Sequence, residues 1–447
     1  MSIVMKFGGS SVANAACMRQ VASLVKAAAD RAPLVVLSAM GKTTNGLFAA
    51  ARAAEAGDLP KAIEGLAALK AAHKASATDL FDGSLPAQLD QAIDAHFEEL
   101  ETILRGVGLL GELSLRSMDA VASFGERLST LLFSSFIGAP LADARKIMRT
   151  DSVFGEALPQ PTLIAELAKQ HIAPFLAPGK PVVIQGYIGG NEKGITTTLG
   201  RGGSDYSAAL FGAALGSEEV QIWTDVEGVL TCDPRIVPEA KSVPQLTFAE
   251  AAELAAFGAK VLHPATILPA VEKGIPVTVR HTQRPEGLFT TIAPDTSSGR
   301  AVTALATRGP ITILTVNSTR MLNQSGFLAK LFEVFRRHDV SVDLVATAEI
   351  SVSLTVEADA PLDALIADLS EFATVETTTD RAIVAVVGER MKATPGVSGR
   401  LFSALAGINV ELISQGANEI NLSLVVPQEL ANETLKRLHK ALIEEGI

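Results

Sequence analysis

The sequence predicts an α/β protein: a three-layer sandwich around a mostly parallel sheet, followed by two smaller C-terminal units of βαββα type. Three observations carry this. Short apolar runs alternate with helical stretches from Met1 to about Arg300, the order that winds a parallel sheet between helical layers. Those runs are continuous in Val, Ile and Leu, as in strands buried on both faces. Further on the chain repeats itself. Gly326-Phe327, Leu331-Phe332, Val340, Glu349-Ile350 and Ser353-Leu354 recur as Gly396-Val397, Leu401-Phe402, Val410, Glu419-Ile420 and Ser423-Leu424, all at one offset with no gap.

The strands expected in the first part are Ile3–Phe7, Leu34–Ala39, Pro181–Tyr187, Val220–Thr224 and Pro276–Arg280. A helix from Ala13 to about Ala29 follows the first of them. Between Ala49 and Leu104 an Ala/Leu/Glu-rich stretch is broken at Asp58-Leu59-Pro60 and at Gly83-Ser84-Leu85-Pro86. It reads as two or three helices that leave the sheet and return. One further helix is expected from Met118 to Ile137, and Pro294–Arg308 has the composition of a linker. In the first repeat the elements are Ile311–Val316, Phe327–Arg337, Val340–Thr347, Ile350–Val356 and Leu362–Glu371. A βαββα unit leaves its sheet half bare, and pairing two copies covers it. The expected domains are 1–300, 308–381 and 382–447.

Two loops carry chemistry. Leu199-Gly200-Arg201-Gly202-Gly203-Ser204-Asp205 is a glycine-rich turn running into an apolar helix. Its glycines let a ligand approach the main chain, the helix start favours an anion, and Arg201 offers a rigid fork for a carboxylate or phosphate. At the N-terminus, Ile3-Val4-Met5 leads into Lys6-Phe7-Gly8-Gly9-Ser10-Ser11-Val12 and then a helix. Backbone N–H groups of Gly8 and Gly9 beside a helix start and an ammonium make a phosphate cradle. Neither GxxxxGK[ST] nor GxGxxG is present here, so this is not a P-loop or a dinucleotide fingerprint. Each loop alone is also compatible with an ordinary turn; together they point to an anionic small molecule.

Composition narrows the classes. Of 447 residues, 48% are apolar and the formal net charge is −11, which disfavours general nucleic-acid binding. The two cysteines, Cys17 and Cys232, are far apart in sequence and fit a reducing compartment. Met1 leads at once into a strand, and no long apolar window occurs, so a cytoplasmic protein without a membrane span is expected. The histidines are scattered, with no zinc-site spacing.

Three more segments complete a pattern: Ser38-Ala39-Met40-Gly41-Lys42-Thr43-Thr44-Asn45, Trp223-Thr224-Asp225-Val226-Glu227-Gly228 with Thr231-Cys232-Asp233-Pro234-Arg235, and Phe257-Gly258-Ala259-Lys260-Val261-Leu262-His263-Pro264-Ala265. With KFGGSSV and LGRGGSDY they resemble the aspartate kinases of the amino-acid-kinase superfamily, in order and spacing, from residue 1 to about 427. The repeat resembles the paired ACT regulatory domains of those enzymes, of ferredoxin-like fold. The likeness is greatest to the monofunctional, lysine-sensitive type.

The resemblance implies transfer of the ATP γ-phosphoryl group to the side-chain carboxylate of L-aspartate, giving 4-phospho-L-aspartate, the first step toward lysine, threonine and methionine. It implies that Lys6 stabilises the transferring group beside Phe7, Gly8 and Gly9, and that Asp205 orients Lys6. Arg201, with Gly202, Gly203 and Ser204, would hold the α-carboxylate of aspartate; Glu126 would take its ammonium, and Thr44 would hydrogen-bond it. No general base is needed, because the attacking carboxylate is already ionised at neutral pH. For the nucleotide the resemblance points to Thr224, Asp225, Leu230, Arg235, Lys260 and Val261; Leu230 stands where close relatives carry a Tyr near the adenine. Mg²⁺ is expected with ATP, held mainly by the phosphates, with no dedicated protein metal site. His263 receives no role.

In the first repeat, Met321, Phe327, Leu328, Ser341, Val342 and Asp343 match lysine-binding positions, with Glu349 a second acid for a distal ammonium. Gln324 and Ala348 stand where lysine-sensitive relatives have small hydroxyl residues, so threonine as effector, or no inhibition at all, stays open beside lysine. A homodimer through the ACT-like repeats is expected, with a tetramer as the alternative. Two other readings stay open: a related kinase with a different acceptor (glutamate, carbamate or a nucleotide), and a catalytically inactive amino-acid sensor.

Overall fold

The computed structural model describes residues 2–258, 264–294, 300–321 and 325–446. It divides into two compact units, residues 1–229 with 261–296 and residues 230–260 with 297–447.

In the first unit the sheet runs in the order Leu141–Ala142, Val182–Gln185, Pro33–Leu37, Ile3–Phe7, Glu219–Thr224, Val277–His281, Thr290–Ile292. Every pairing is parallel except the last. The central strand Ile3–Phe7 is buried along its whole length, Lys6 included, between strands on both sides. On one face Ile3, Met5, Phe7, Val35, Leu37 and Trp223 share a core with Met18, Val21, Leu47, Phe97, Leu128 and Phe133 of the surrounding helices. On the other, helix Gly203–Leu215 lies over the central strands, flanked by Pro161–His171 and Pro264–Glu272. The three layers read from the sequence are present.

Local expectations shift where side chains compete with the helix backbone. The excursion from the sheet is three helices, Thr43–Glu55, Leu59–Leu80 and Ala87–Leu110. Asp58 caps the second, its carboxylate accepting the Lys61 N–H at 3.1 Å. The helix expected from Ala13 starts at Ala15, because Asn14 accepts the Cys17 N–H; a 3₁₀ turn, Gly9–Val12, precedes it. The single helix expected over Met118–Ile137 is instead two, Leu115–Ala122 and Phe124–Ile137. They break at Ser123, whose hydroxyl donates to the Ala120 carbonyl at 2.7 Å.

In the second unit one antiparallel sheet runs Val345–Thr347, Ser351–Glu357, Ala304–Asn317, Thr374–Val387, Asn421–Pro427, Leu412–Gln415. Two long strands at its centre serve both lobes. Ala304–Arg308 pairs with Ile383–Val387, and Ile311–Asn317 pairs with Thr374–Arg381. The C-terminal part of the expected linker is therefore strand, with Ala304, Leu305 and Ala306 buried. Each repeat gains a closing strand that the βαββα reading lacked. In the first repeat it begins as the polar run Thr374-Val375-Glu376-Thr377-Thr378-Thr379, whose composition hides it. The strand expected over Val340–Thr347 is confined to Val345–Thr347. One core gathers Leu314, Phe327, Leu331, Val352 and Leu365; the other gathers Leu305, Val384, Leu401, Leu424 and Leu435 with Cys232 and Val237.

Candidate functional site

In the first unit a pocket of about 600 Å³ opens at the carboxyl ends of the parallel strands, where open α/β sheets bind ligands. Strand Ile3–Phe7 delivers Lys6 into it, and the chain after Pro33–Leu37 delivers Ser38, Ala39 and Gly41. Helix Gly203–Leu215 points its N-terminus at the same space. The loop before it is held by Gly200 and Gly202 at φ 73° and 71°, a conformation costly to residues with a Cβ. Gly203 must also lack a side chain, because a Cβ there would stand 2.7 Å from the Tyr187 ring.

Charge is arranged at two ends of this pocket. The ammonium of Lys6, which is only 8% exposed, lies 2.5 Å from Asp205 Oδ1. Asp205 sits in the first turn of its helix, where the dipole favours an anion. Lys6 is thus a cation held in place by a fixed partner. Glu126 is only 3% exposed; its Oε1 accepts the Ala39 N–H at 3.0 Å, and its Oε2 is buried without a partner. Burial pushes its carboxyl up to about 8, against the pull of the Ala39 hydrogen bond. Thr44 and the exposed Arg201 line the same pocket.

The pocket brings together Lys6, Gly9, Thr44, Glu126, Arg201, Gly202, Gly203, Ser204 and Asp205. Two expectations at the N-terminal loop need correction. The Gly8 N–H donates to the Trp223 carbonyl at 3.1 Å, continuing the strand ladder, so it is not a cradle donor. Phe7 is fully buried and stacks on Trp223 as a core residue.

Sequence reasoning missed Tyr187, Gly155 and Glu156, which line the pocket. Tyr187 follows a strand end, so the carboxyl-end rule could have found it. It takes φ 67°, uncommon for a residue with a Cβ. Gly155 and Glu156 carry no local signal; Asp119 places them. Its carboxylate accepts the Gly155 N–H at 3.0 Å, the Thr198 N–H at 3.0 Å and the Thr198 hydroxyl at 2.7 Å. Burial raises the Asp119 carboxyl, and these bonds oppose the rise. The break at Ser123 separates the helix carrying Asp119 from the helix carrying Glu126.

The nucleotide candidates fall in both units. Thr224 ends its strand and donates to Asp225 Oδ1 at 3.1 Å, and Asp225 is exposed. In the second unit Leu230 bridges to Ser242, and the Arg235 guanidinium is paired with Asp233 at 2.6 Å and largely exposed. Lys260, Val261 and His263 lie outside the described residues. Of the effector candidates, Phe327 is buried against Phe372, Met321 and Val342 are half-buried, and Leu328 and Ser341 are exposed. Asp343 Oδ1 pairs with Arg308 at 2.9 Å, while its Oδ2 is buried without a partner. Glu349 and Ala348 are exposed, and Gln324 lies outside the described residues.

Comparison with known proteins agrees with this architecture. The Amino acid kinase family profile matches residues 1–281, and the ACT domain profile matches 314–367 and 384–442. Lysine-sensitive aspartokinase 3 of Escherichia coli is 40% identical over 455 residues, covering 99% of each chain. Aspartokinase 2, chloroplastic, of Arabidopsis thaliana is 39% identical over 475 residues, covering 99% of this chain and 85% of its own. The crystal structure of E. coli aspartokinase III with aspartate and ADP, described as the R-state, superposes with a TM-score of 0.84 at 39% identity. That match covers 99% of this chain and 100% of the other. The T-state of the same enzyme, with lysine and aspartate, gives 0.82 at 40% identity and 99% coverage of both chains. The chain therefore belongs to the aspartokinases, amino acid kinases that carry ACT domains.

Proposed function

We propose that this chain transfers the γ-phosphoryl group of ATP to the side-chain carboxylate of L-aspartate in the pocket between Lys6 and Glu126. The observation that carries the reading is the orphaned, fully buried Glu126 carboxylate facing the same space as Arg201 and the Lys6–Asp205 pair. A buried acid with one unpartnered oxygen calls for a cation, and the ammonium of an amino acid supplies it. Arg201 takes the α-carboxylate. The side-chain carboxylate then points toward Lys6, which neutralises charge developing on the phosphoryl oxygens. Asp205 fixes where that ammonium stands.

Among the described residues no group of three or more His, Cys, Asp or Glu could hold a metal ion. In this reading Mg²⁺ arrives on the nucleotide phosphates, where it screens their charge. Thr224, Asp225, Leu230, Arg235, Lys260 and Val261 remain the proposed nucleotide set.

The reading is tested by incubating the protein with ATP, Mg²⁺ and hydroxylamine, and measuring hydroxamate with L-aspartate or L-glutamate. Aspartate-dependent hydroxamate is expected; turnover with glutamate alone, or none, contradicts the acceptor assignment. Arg201→Lys is expected to raise the KM for aspartate by about tenfold to a hundredfold with little change in kcat. It keeps the charge but loses the two-pronged grip on a carboxylate, worth roughly 1.5–3 kcal/mol. Steady-state kinetics at saturating ATP reads this out.

Feedback control by lysine, with threonine second, is part of the proposal. The buried Asp343 oxygen without a partner suits an amino-acid ammonium. Hydroxamate formation suppressed by lysine in wild type but not in Asp343→Asn is the expected outcome.

A homodimer through the ACT-like lobes is proposed as well, with a tetramer as a larger form. The sheet's outermost strands, Val345–Thr347 and Leu412–Gln415, are each hydrogen-bonded to a strand on one side only and approach one another. Val345 and Ile413 on these strands are 38% and 46% exposed, and strands paired on one side only invite further pairing. Val345→Lys is expected to shift the mass in light scattering toward the monomer; an unchanged mass places the contact elsewhere. A cytoplasmic setting completes the reading. No helix among the described residues is long and apolar enough to cross a membrane.

A further inference from the structure

We propose that a second pocket, within the second unit, binds a small multivalent anion and acts as an effector site separate from the amino-acid effector positions. The pocket has a volume of about 790 Å³, and among the described residues its lining carries Lys241, Arg300 and Arg390 with one acidic side chain, Glu389. Among the described lining residues cations outnumber acids, with Lys241 and Arg390 both exposed, on a chain whose formal net charge is −11. Such a cavity concentrates anions. Its size exceeds what one phosphate or sulfate fills, and Val302, Leu442 and Ile443 add an apolar wall. The fitting ligand class is a metabolite with two or more phosphate or carboxylate groups.

The cationic wall is assembled by the fold. A Cβ on Gly388 would lie 2.1 Å from the Ala301 carbonyl oxygen, so only glycine lets these two segments touch. Their contact sets Arg300 beside Glu389 and Arg390, with the Glu389 N–H on the Arg300 carbonyl at 3.4 Å. Arg390 takes φ 52°, a strained conformation for arginine of the kind that collects at ligand sites. Leu442 and Ile443 of the apolar wall come from a single turn of π-helix, Lys440–Glu444, a rare element also frequent at such sites.

The pocket also touches the nucleotide segment. Lys241 and Thr231 are joined by two hydrogen bonds: the Thr231 N–H donates to the Lys241 carbonyl at 2.8 Å, and the Lys241 N–H donates to the Thr231 side-chain hydroxyl at 2.9 Å. Leu230 bridges to Ser242 alongside. Thr231 Oγ1 lies 2.9 Å from His439 Nε2, and His439 Nδ1 lies 2.9 Å from Glu444 Oε1, joining this segment to the π-turn. An anion that draws Lys241 inward pulls on the isolated bridge that carries Leu230. Occupancy therefore changes the apparent KM for ATP. This coupling rests on the nucleotide set proposed above; the binding itself does not.

The test titrates the full chain with pyrophosphate and, separately, citrate, at constant ionic strength and without nucleotide, following heat and unfolding temperature. Saturable binding of either is expected, weakened by at least about tenfold in Arg390→Ala and in Lys241→Ala. Pyrophosphate alone points to a phosphorylated ligand and citrate alone to a polycarboxylate. Equal shifts from chloride, or unchanged affinity in both variants, overturn the site. Lys6→Ala then shows whether the anion sits in the kinase pocket instead. In kinase assays at fixed free Mg²⁺, the bound anion should change the KM for ATP in wild type and not in Arg390→Ala. Binding with no change in KM overturns the coupling, and turnover without the anion, alike in both proteins, reports on the kinase reading independently.

Discussion

Lys6→Ala is expected to lower kcat by about 10²–10³ while the chain still folds, the loss typical of removing one preorganised donor from a developing anion. The site gives Lys6 no other task. It is nearly buried and paired with Asp205, and on the central strand it stands between Val36 and Ile222 of the neighbouring strands. Because the acceptor is held by other groups, the KM for aspartate should change far less than kcat. Circular dichroism and thermal unfolding separate this from misfolding. The substitution leaves Asp205 without its cation, though the helix N-terminus still supports that carboxylate. A variant that keeps most of its kcat removes Lys6 from the phosphoryl site.

Glu126→Gln should produce the second large effect, and in two opposite directions. Without its charge the acceptor pocket cannot hold an ammonium, so the KM for aspartate should rise by about a hundredfold or more. Stability should rise with it. The folded carboxyl titrates near 8, above its ordinary value of 4.5. Between those values the folded chain holds a proton that the unfolded chain has released. Wild-type stability therefore falls as pH rises through that window, and glutamine, which mimics the protonated form, escapes the loss. Above about pH 8 the variant should be more stable on the order of 3–5 kcal/mol, with the difference fading toward about pH 4.5. Denaturant unfolding at both ends of the window checks this. A variant less stable than wild type at high pH contradicts the assignment of a strained, orphaned carboxylate.

Much of this was legible in the sequence for identifiable reasons. Buried parallel strands leave continuous Val and Ile runs, so Ile3–Phe7 and its neighbours declare themselves. Glycine turns that run into helices leave dense local signatures, which exposed Lys6 and Arg201 through Asp205. Other features are set by distant partners. Ser123 breaks a helix that periodicity reads as continuous. Gly155 and Glu156 reach the pocket because Asp119 bonds the Gly155 backbone, a contact that no spacing reveals. The Gly8 N–H joins the Trp223 carbonyl because the ladder runs past the apolar residues that mark the strand. Thr374–Val387 conceals its first half in threonines and charges, which suit a strand exposed on one face.

Calorimetry of aspartate binding in buffers of different ionisation enthalpy tests the central claim most directly. If an aspartate ammonium settles on Glu126, the carboxyl must give up its proton, and about one proton per chain should be released at pH 7. Affinity should then weaken about tenfold for each pH unit below roughly 8. Binding of aspartate with no proton release, and with affinity flat across that range, would contradict an acceptor site built on Glu126.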